Sequence, residues 1–232
     1  MGRASDKMMP SQVYRLVIVV LAAAAATTFV ACSTSDNAVG PTNARSDTVM
    51  VAAAQTGFVQ SGAGDQAIAS PGSDVRVGDD AARDPLIDVR GFIGFDLSGL
   101  PGGLRLQSVT LVATQCAVTG SPFALGSVVV DHVNYAAPFD TAVFAETPLA
   151  SIVGTLSTDT TLGPRSITVT SSVANDIAAG RTSSQFRLRM STANDAGNGP
   201  SNQVIFASDS ANTADCAPAA AQQPRLVIAL QP

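Results

Sequence analysis

The segment Arg90–Ala113 constrains the fold most strongly, because apolar residues alternate on both sides of a Pro- and Gly-rich break. Six apolar residues follow this alternation: Ile93, Phe95, Leu97, Val109, Leu111 and Ala113. A period of two predicts half-buried β-strands. A slip of one residue would move every apolar side chain into water, so one register is favoured. The segment is therefore predicted to be a β-hairpin.

Further strand patterns come at short intervals along the chain, and no alternation of strands with helices is seen. Beside the hairpin they are Thr48–Ala54, Gly57–Ser61, Asp74–Val77, Ser127–Tyr135, Ile152–Leu156, Ser166–Thr170, Gln185–Ser191, Gln203–Ser208 and Arg225–Leu230. Residues 62–73 are predicted to form a loop. In a 232-residue chain, about ten short strands without a βαβ rhythm favour an all-β, antiparallel β-sandwich.

One helix is predicted, over Ser172–Gly180. Ser172 is a favourable N-cap, with Asp176 in the place of a capping-box Glu, and Gly180 is a typical helix stop. Val173 and Ile177 are four residues apart and are expected to face the core together.

Residues 1–31 have the layout of a signal peptide: a basic start, an apolar run from Leu16 and small residues at the end. The residues Phe29-Val30-Ala31-Cys32 resemble a bacterial lipobox, which would make Cys32 the lipidated first residue of an exported lipoprotein. The alternative is an ordinary secretory signal with Cys32 as a stray thiol. Residues 32–47 are polar and small, so we expect a flexible tether, with the folded domain at 48–232.

Ser33 after the cysteine resembles lipoproteins that are sent on to an outer membrane or cell surface, where the lipid is the expected membrane contact. Without residues 1–31, which hold three of the 13 basic and one of the 18 acidic residues, the formal net charge is −7. Nucleic acid is therefore not an expected partner, because its binding needs neutralising Lys and Arg. The acidity indicates either solubility or an acidic binding face.

The two remaining cysteines, Cys116 and Cys216, form an even pair in an exported and therefore oxidising setting. We predict a disulfide between them. The alternative is two buried free thiols.

Several pieces of the chain resemble DNRLRE-type domains of secreted bacterial proteins, a group related to alginate-binding carbohydrate-binding modules. The matching pieces are Val75-Arg76-Val77-Gly78, Phe95-Asp96-Leu97-Ser98-Gly99-Leu100-Pro101, the segment Ile167–Ala179, and Pro224-Arg225-Leu226-Val227-Ile228. The resemblance implies a jelly-roll-like β-sandwich and raises carbohydrate binding as a function.

Residues suited to catalysis are scarce. His132 is the only histidine and Glu146 the only glutamate. Asp131 and His132 are neighbours on a predicted strand, so their side chains point to opposite faces and cannot form a relay. His132 is expected to be a satisfied strand residue rather than a catalyst. Glycosidases usually need a carboxylate pair, and no obvious pair is present, so the chain is predicted not to be an enzyme.

Two sets of residues are candidates for ligand binding. Arg187 and Arg189 are predicted to point outward from one strand, about 7 Å apart, where their planar forks would match carboxylates of an acidic polysaccharide. The alternative is two solvated arginines on an exposed sheet face. The loop acids Asp79, Asp80 and Asp84 are weak candidates for calcium, the only cofactor considered, against solvated loop acids as the alternative.

Three classes of function remain. The first is a non-catalytic, lipid-anchored surface or periplasmic domain with a structural or adhesive role. The second is a carbohydrate-binding module for an acidic extracellular polysaccharide. The third, a hydrolase or lyase, is disfavoured. An aromatic platform for sugars is not indicated, because the chain has no Trp and after the signal peptide only one Tyr, Tyr135. The oligomeric state is not predicted.

Overall fold

A computed structural model describes residues 45–61, 67–80, 87–103, 105–192, 200–208, 216 and 222–231. All of them belong to one compact unit, residues 41–232. Within these ranges the chain forms twelve strands: β1 Arg45–Met50, β2 Gly57–Ser61, β3 Ile68–Pro71, β4 Val75–Asp79, β5 Asp88–Asp96, β6 Leu106–Thr119, β7 Val128–Val133, β8 Ala150–Ser157, β9 Gly163–Thr168, β10 Ser183–Met190, β11 Asn202–Phe206 and β12 Arg225–Leu230.

The helical elements are few and short. The single α-helix of the described residues, α1, spans Thr170–Ala178, and three 3-10 helices span Ala53–Gln55, Pro122–Leu125 and Thr141–Ala145. The described residues contain no helix that is both long enough and apolar enough to span a membrane.

All twelve strands belong to one antiparallel sheet that is strongly curled. Its main path runs β1-β12-β6-β11-β4-β5-β10-β7-β8. Strand β2 pairs with β3 and β5, and β9 pairs with β6. The prediction of a mostly β, antiparallel fold with one short helix is confirmed at this level.

The main apolar core is built by buried side chains from every strand of the path between β12 and β8. Its fully buried members include Val77, Phe95, Leu111, Phe186, Phe206 and Ile228. Helix α1, the one α-helix of the described residues, adds Val173 to this core. Each fully buried large apolar side chain stabilises the fold by roughly 1.5–3 kcal/mol relative to an exposed one.

The predicted β-hairpin is wrong in its pairing, although its strands and buried faces are right. The six alternating residues lie in β5, in β6 and, for Leu97, directly after β5, and each is 5% exposed or less. In the described pairings, however, β5 contacts β10, β4 and β2, whereas β6 contacts β12, β11 and β9. The Pro- and Gly-rich segment therefore connects two distant parts of the sheet. Alternation determines which face of a strand is buried, but it does not determine with which other strand it pairs.

Other boundaries differ modestly from expectation. Strand β3 lies in residues that were predicted to be loop, and β1 begins at Arg45, whereas the domain was expected from Thr48. Helix α1 starts at Thr170, so Ser172 lies within its first turn and is not its N-cap. Gly180 follows the helix with a φ of +69°, the left-handed conformation typical of a helix stop. Ile177 is 38% exposed and does not share the burial of Val173.

The opposite face of β5, β7 and β10 is also covered. A second apolar cluster there contains Val59, Phe92, Val133, Tyr135, Phe139 and Val143. Phe139 and Val143 belong to the segment 134–149, which contains the 3-10 helix Thr141–Ala145. Burial raises the pKa of the Tyr135 phenol well above its ordinary value, and its hydroxyl donates to the Gln55 carbonyl at 2.7 Å. These central strands are therefore buried on both faces.

Candidate functional site

Charged side chains from three adjacent strands meet on this second face. Strand β5 contributes Asp88 and Arg90, β7 contributes Asp131, and β10 contributes Arg187 and Arg189. We call these five residues the arginine cluster. Arg187 lies directly opposite Asp131 in the pairing of β10 with β7. Opposite charges at directly opposed positions stabilise a strand pair.

Asp131 is the centre of the cluster and is fully buried. Its Oδ2 accepts hydrogen bonds from Arg187 Nη2 at 2.8 Å and from Arg189 Nε at 2.9 Å. Its Oδ1 accepts from the backbone N–H of Ile152 at 2.9 Å. Burial opposes ionisation of this carboxyl, but the hydrogen bonds from Arg189, Ile152 and Arg187 outweigh it, so the pKa of Asp131 lies below its ordinary value.

The segment 134–149 covers the cluster from outside. Arg187 Nη1 donates to the Glu146 carbonyl at 2.7 Å, and Arg90 Nη1 donates to the Phe144 carbonyl at 2.7 Å. The Arg90 guanidinium also lies 3.9 Å from the centre of the Phe144 ring. Arg187 is consequently 5% exposed. The prediction that Arg187 points outward into solvent is therefore wrong, because the outward face of β10 is covered at that position.

The rim of the cluster remains partly open. Arg189, Arg90 and Asp88 have side chains that are 24%, 23% and 23% exposed. With Arg187 they line a cavity of about 230 Å³. Burial raises the pKa of the Asp88 carboxyl, against the opposing effect of Arg90 at 3.1 Å. Burial also lowers the pKa of Arg90, as do the like charges of Arg187 and Arg189. Three arginines and two aspartates leave the cluster with one excess positive charge.

Cys116 and Cys216 form a disulfide, as predicted from their even number. It joins β6 to Cys216, which lies in the chain between β11 and β12, and it spans 100 positions of sequence. Cys216 is fully buried beside Ile205. Cys32 lies outside the described residues.

Two of the three calcium candidates use their carboxylates within the protein. Asp79 is 2% exposed, and its Oδ1 accepts from the backbone N–H of Asn202 at 2.7 Å. Asp80 accepts from Gln60 Nε2 at 3.1 Å and from the Ser201 hydroxyl at 2.9 Å. Asp84 lies outside the described residues. In the part of the chain that the structure describes, no three His, Cys, Asp or Glu side chains group as metal ligands would.

A second buried polar group was not predicted from the sequence. His132 points to the other face of β7 from Asp131, as strand geometry requires, and its Nε2 lies 3.0 and 2.9 Å from the two carboxylate oxygens of Asp176. Arg181 Nε donates to Asp176 Oδ1 at 3.0 Å. The sequence does contain one signal for this pair: His132 lies in a strand of valines, on the core-facing side, where an imidazole needs a buried hydrogen-bond partner. Helix α1 supplies that partner 44 residues later.

Comparison with protein-family models finds no match to this chain. A search of curated proteins finds no match either.

Proposed function

We propose that the chain is an exported, lipid-anchored β-domain with a non-catalytic, structural or adhesive role at an outer membrane or cell surface. The observation that carries this proposal is the internal use of the arginine cluster. Its central carboxylate is buried, and Arg187 is committed to Asp131 and to the backbone of segment 134–149. The arginine cluster therefore attaches the segment 134–149 to the sheet, and its central charged groups contact the protein itself.

The finer architecture that we propose is a jelly-roll-like sandwich, in agreement with the resemblance to DNRLRE-type domains. Phe186 in β10 and Leu226 in β12 are five steps apart along the strand path, yet both are fully buried in one apolar cluster. In a flat sheet five steps would separate them by about 24 Å, and one side of that sheet would face water. Folding the sheet into two facing layers would bury both.

The disulfide supports an oxidising, extracytoplasmic location, because such bridges persist where thiols are not kept reduced. The lipobox-like residues before Cys32 supply the anchor in this proposal. Two acyl chains anchor a protein stably, at about 0.8 kcal/mol for each buried CH₂ group, where one chain gives only reversible binding.

Detergent-phase partitioning of the protein expressed in a bacterial host tests the anchor. The natural chain should enter the detergent phase, and Cys32→Ala should move it to the aqueous phase. Ser35→Ala, in the same predicted tether, is the matched control and should leave partitioning unchanged. If Cys32→Ala still enters the detergent phase, the lipid anchor is refuted.

A second candidate function is the binding of an acidic extracellular polysaccharide. Arg189 and Arg90 favour it, since both are about one quarter exposed and line the cavity of about 230 Å³ in a cluster with excess positive charge. Guanidinium groups match carboxylates through paired N–H donors. The contact would be local, because the whole chain is acidic.

Retention on an alginate affinity column at low salt tests this candidate. Arg189→Ala should abolish retention, because it removes an exposed guanidinium and leaves the Arg187–Asp131 pair in place. Arg105→Ala removes an exposed arginine outside the cluster and should have no effect. If the natural chain is not retained on alginate or polygalacturonate, the structural role stands alone.

A further inference from the structure

A cavity with a volume of about 540 Å³ lies on the other side of β7 from the arginine cluster. Helix α1 and the residues before it form one wall, with Ser172 and Asn175, and Arg181 follows the helix. His132 of β7 also lines the cavity, and Leu149 and Val153 provide an apolar wall. The volume is in the range of small-molecule sites.

The first turn of α1 lines this cavity through Thr170, Ser171 and Ser172. The residue before the helix is Val169, so no side-chain oxygen caps the first N–H groups. These groups carry the positive end of the helix dipole, which favours a bound anion. Helix α1 has nine residues, enough for a developed terminus.

The side chain of Ser172 supports the same interpretation independently. Ser172 is 5% exposed and lines the cavity, and its hydroxyl makes no hydrogen bond with the described residues. The hydroxyl of this largely buried side chain is therefore an unused donor at the cavity wall, and buried polar side chains normally have a hydrogen-bond partner. A ligand atom in the cavity would supply one.

The carboxylate that contacts two of the lining residues, Asp176, is already engaged within the protein. The carboxylate of Asp176 is 1% exposed and is matched by Arg181 Nε at 3.0 Å and by His132 Nε2 at 2.9 Å. Arg181 is 27% exposed, and its two Nη groups make no hydrogen bond with the described residues. The Nη groups of Arg181 are therefore donors left open to a ligand, in a cavity whose lining also includes Leu149 and Val153.

We propose that this cavity binds a small organic carboxylate, whose charged group contacts the start of α1, Ser172 and Arg181 and whose carbon body contacts the apolar wall. The inference goes beyond the proposed function, since it involves neither the lipid anchor nor the arginine cluster. Asp131 and His132 point to opposite faces of β7, so the two sites are separate.

The single histidine of the chain makes the test direct, because His132 gives the only imidazole signal in an NMR spectrum of the protein purified without a histidine tag. The full-length chain, solubilised in detergent at constant pH, is titrated with acetate, with butyrate and with inorganic phosphate. Butyrate should shift the His132 signal saturably, acetate should bind more weakly because it lacks the carbon body, and phosphate should bind most weakly.

Two variants and a control locate the binding. Arg181→Gln should weaken butyrate binding by about tenfold or more, as expected for the loss of a hydrogen bond to a charged group. Ser172→Ala removes a hydroxyl without a described partner, so it should leave the fold intact and weaken binding several-fold. Arg105→Gln is the matched control and should bind as the natural chain does.

Three results would overturn the proposal: no saturable shift with either carboxylate, phosphate binding as tight as butyrate binding, or unchanged butyrate affinity in Ser172→Ala. Alginate retention is measured on the same preparations. Loss of one activity without the other separates this cavity from the polysaccharide site.

Discussion

At the scale of single residues, Asp131 is the most deeply buried of the charged groups described. It is fully buried between two guanidinium groups, one of which is itself 5% exposed. Removing one partner of a buried ion pair leaves a charge without compensation, which costs more than the pair gained by forming. The integrity of the covered face of β7 and β10 therefore depends on this carboxylate.

Asp131→Asn should lower the free energy of unfolding at pH 7 by about 3–5 kcal/mol, because Arg187 and Arg189 then lack a buried counter-charge. Urea denaturation followed by circular dichroism measures this difference. Glu146→Gln is the matched control: it also removes one negative charge near the cluster, but its side chain is exposed, and the backbone carbonyl that binds Arg187 remains. Equal stabilities of Asp131→Asn and the control would contradict the prediction.

The difference in the free energy of unfolding between the natural chain and Asp131→Asn should become smaller as the pH falls. The pKa of Asp131 is lowered in the folded chain, so the folded state favours the ionised carboxyl. This stabilisation is complete above the ordinary value of about 3.9 and is lost as the pH falls through the lowered folded value. The natural chain should thus lose stability below about pH 4 more steeply than Asp131→Asn. If the plots of unfolding free energy against pH are parallel for the two proteins, the prediction is wrong.

At the scale of secondary-structure elements, helix α1 is fastened to the core by one apolar residue. Val173 is fully buried, whereas Ile177, one turn later, is 38% exposed. The four-residue spacing suggested that both would be buried, but the helix sits so that Asp176 takes the neighbouring buried position and pairs with His132. A polar contact to β7 therefore decides which face of the helix turns inward.

Val173→Ala should consequently lower the free energy of unfolding by about 2 kcal/mol, from lost burial and the cavity left behind. Ile177→Ala removes more atoms but should cost less than about 1 kcal/mol, because that side chain is already partly in water. Thermal unfolding of the two variants side by side measures the order. If Ile177→Ala proves the more destabilising, the observed orientation of α1 is wrong.

Individual strands were predictable from the sequence, but their partners were not. Gly57–Ser61 and Arg225–Leu230 were predicted with the bounds that are observed, because alternation is a local property. The pairing of β5 with β10, about ninety residues later, depends on tertiary contacts that no local pattern encodes. The prediction that β5 and β6 form a hairpin was wrong for this reason.

The candidate site shows the same division between local and distant information. Alternation correctly separated Arg187 from Phe186, which lie on opposite faces of β10. It could not show that the segment 134–149 covers the arginine face, since that segment is irregular and carries no periodic signal. For the same reason Asp176, which lies on a helix remote in sequence, was not recognised as the partner of His132.

At the scale of the whole molecule, the disulfide joins two segments that are far apart in the sequence. Strand β6 pairs with β12, β11 and β9, and Cys116 within it is bonded to Cys216, which lies between β11 and β12. The bridge closes a loop of 100 positions. In the unfolded state such a cross-link removes conformational freedom, which in the chain-entropy model stabilises the folded state by up to about 4.7 kcal/mol.

The double variant Cys116→Ser, Cys216→Ser should therefore unfold with a free energy about 2–4 kcal/mol below that of the parent, which is the usual measured range. Cys32→Ala serves as the parent, so that these are the only two cysteines in the chain. Guanidinium denaturation measures the loss, and reduction of the parent should reproduce most of it, because both treatments remove the same cross-link. The denatured, unreduced parent should contain no reactive thiol. Two thiols per chain would show that the bridge does not form, and the stability of the fold would then depend on the curled sheet and its buried core alone.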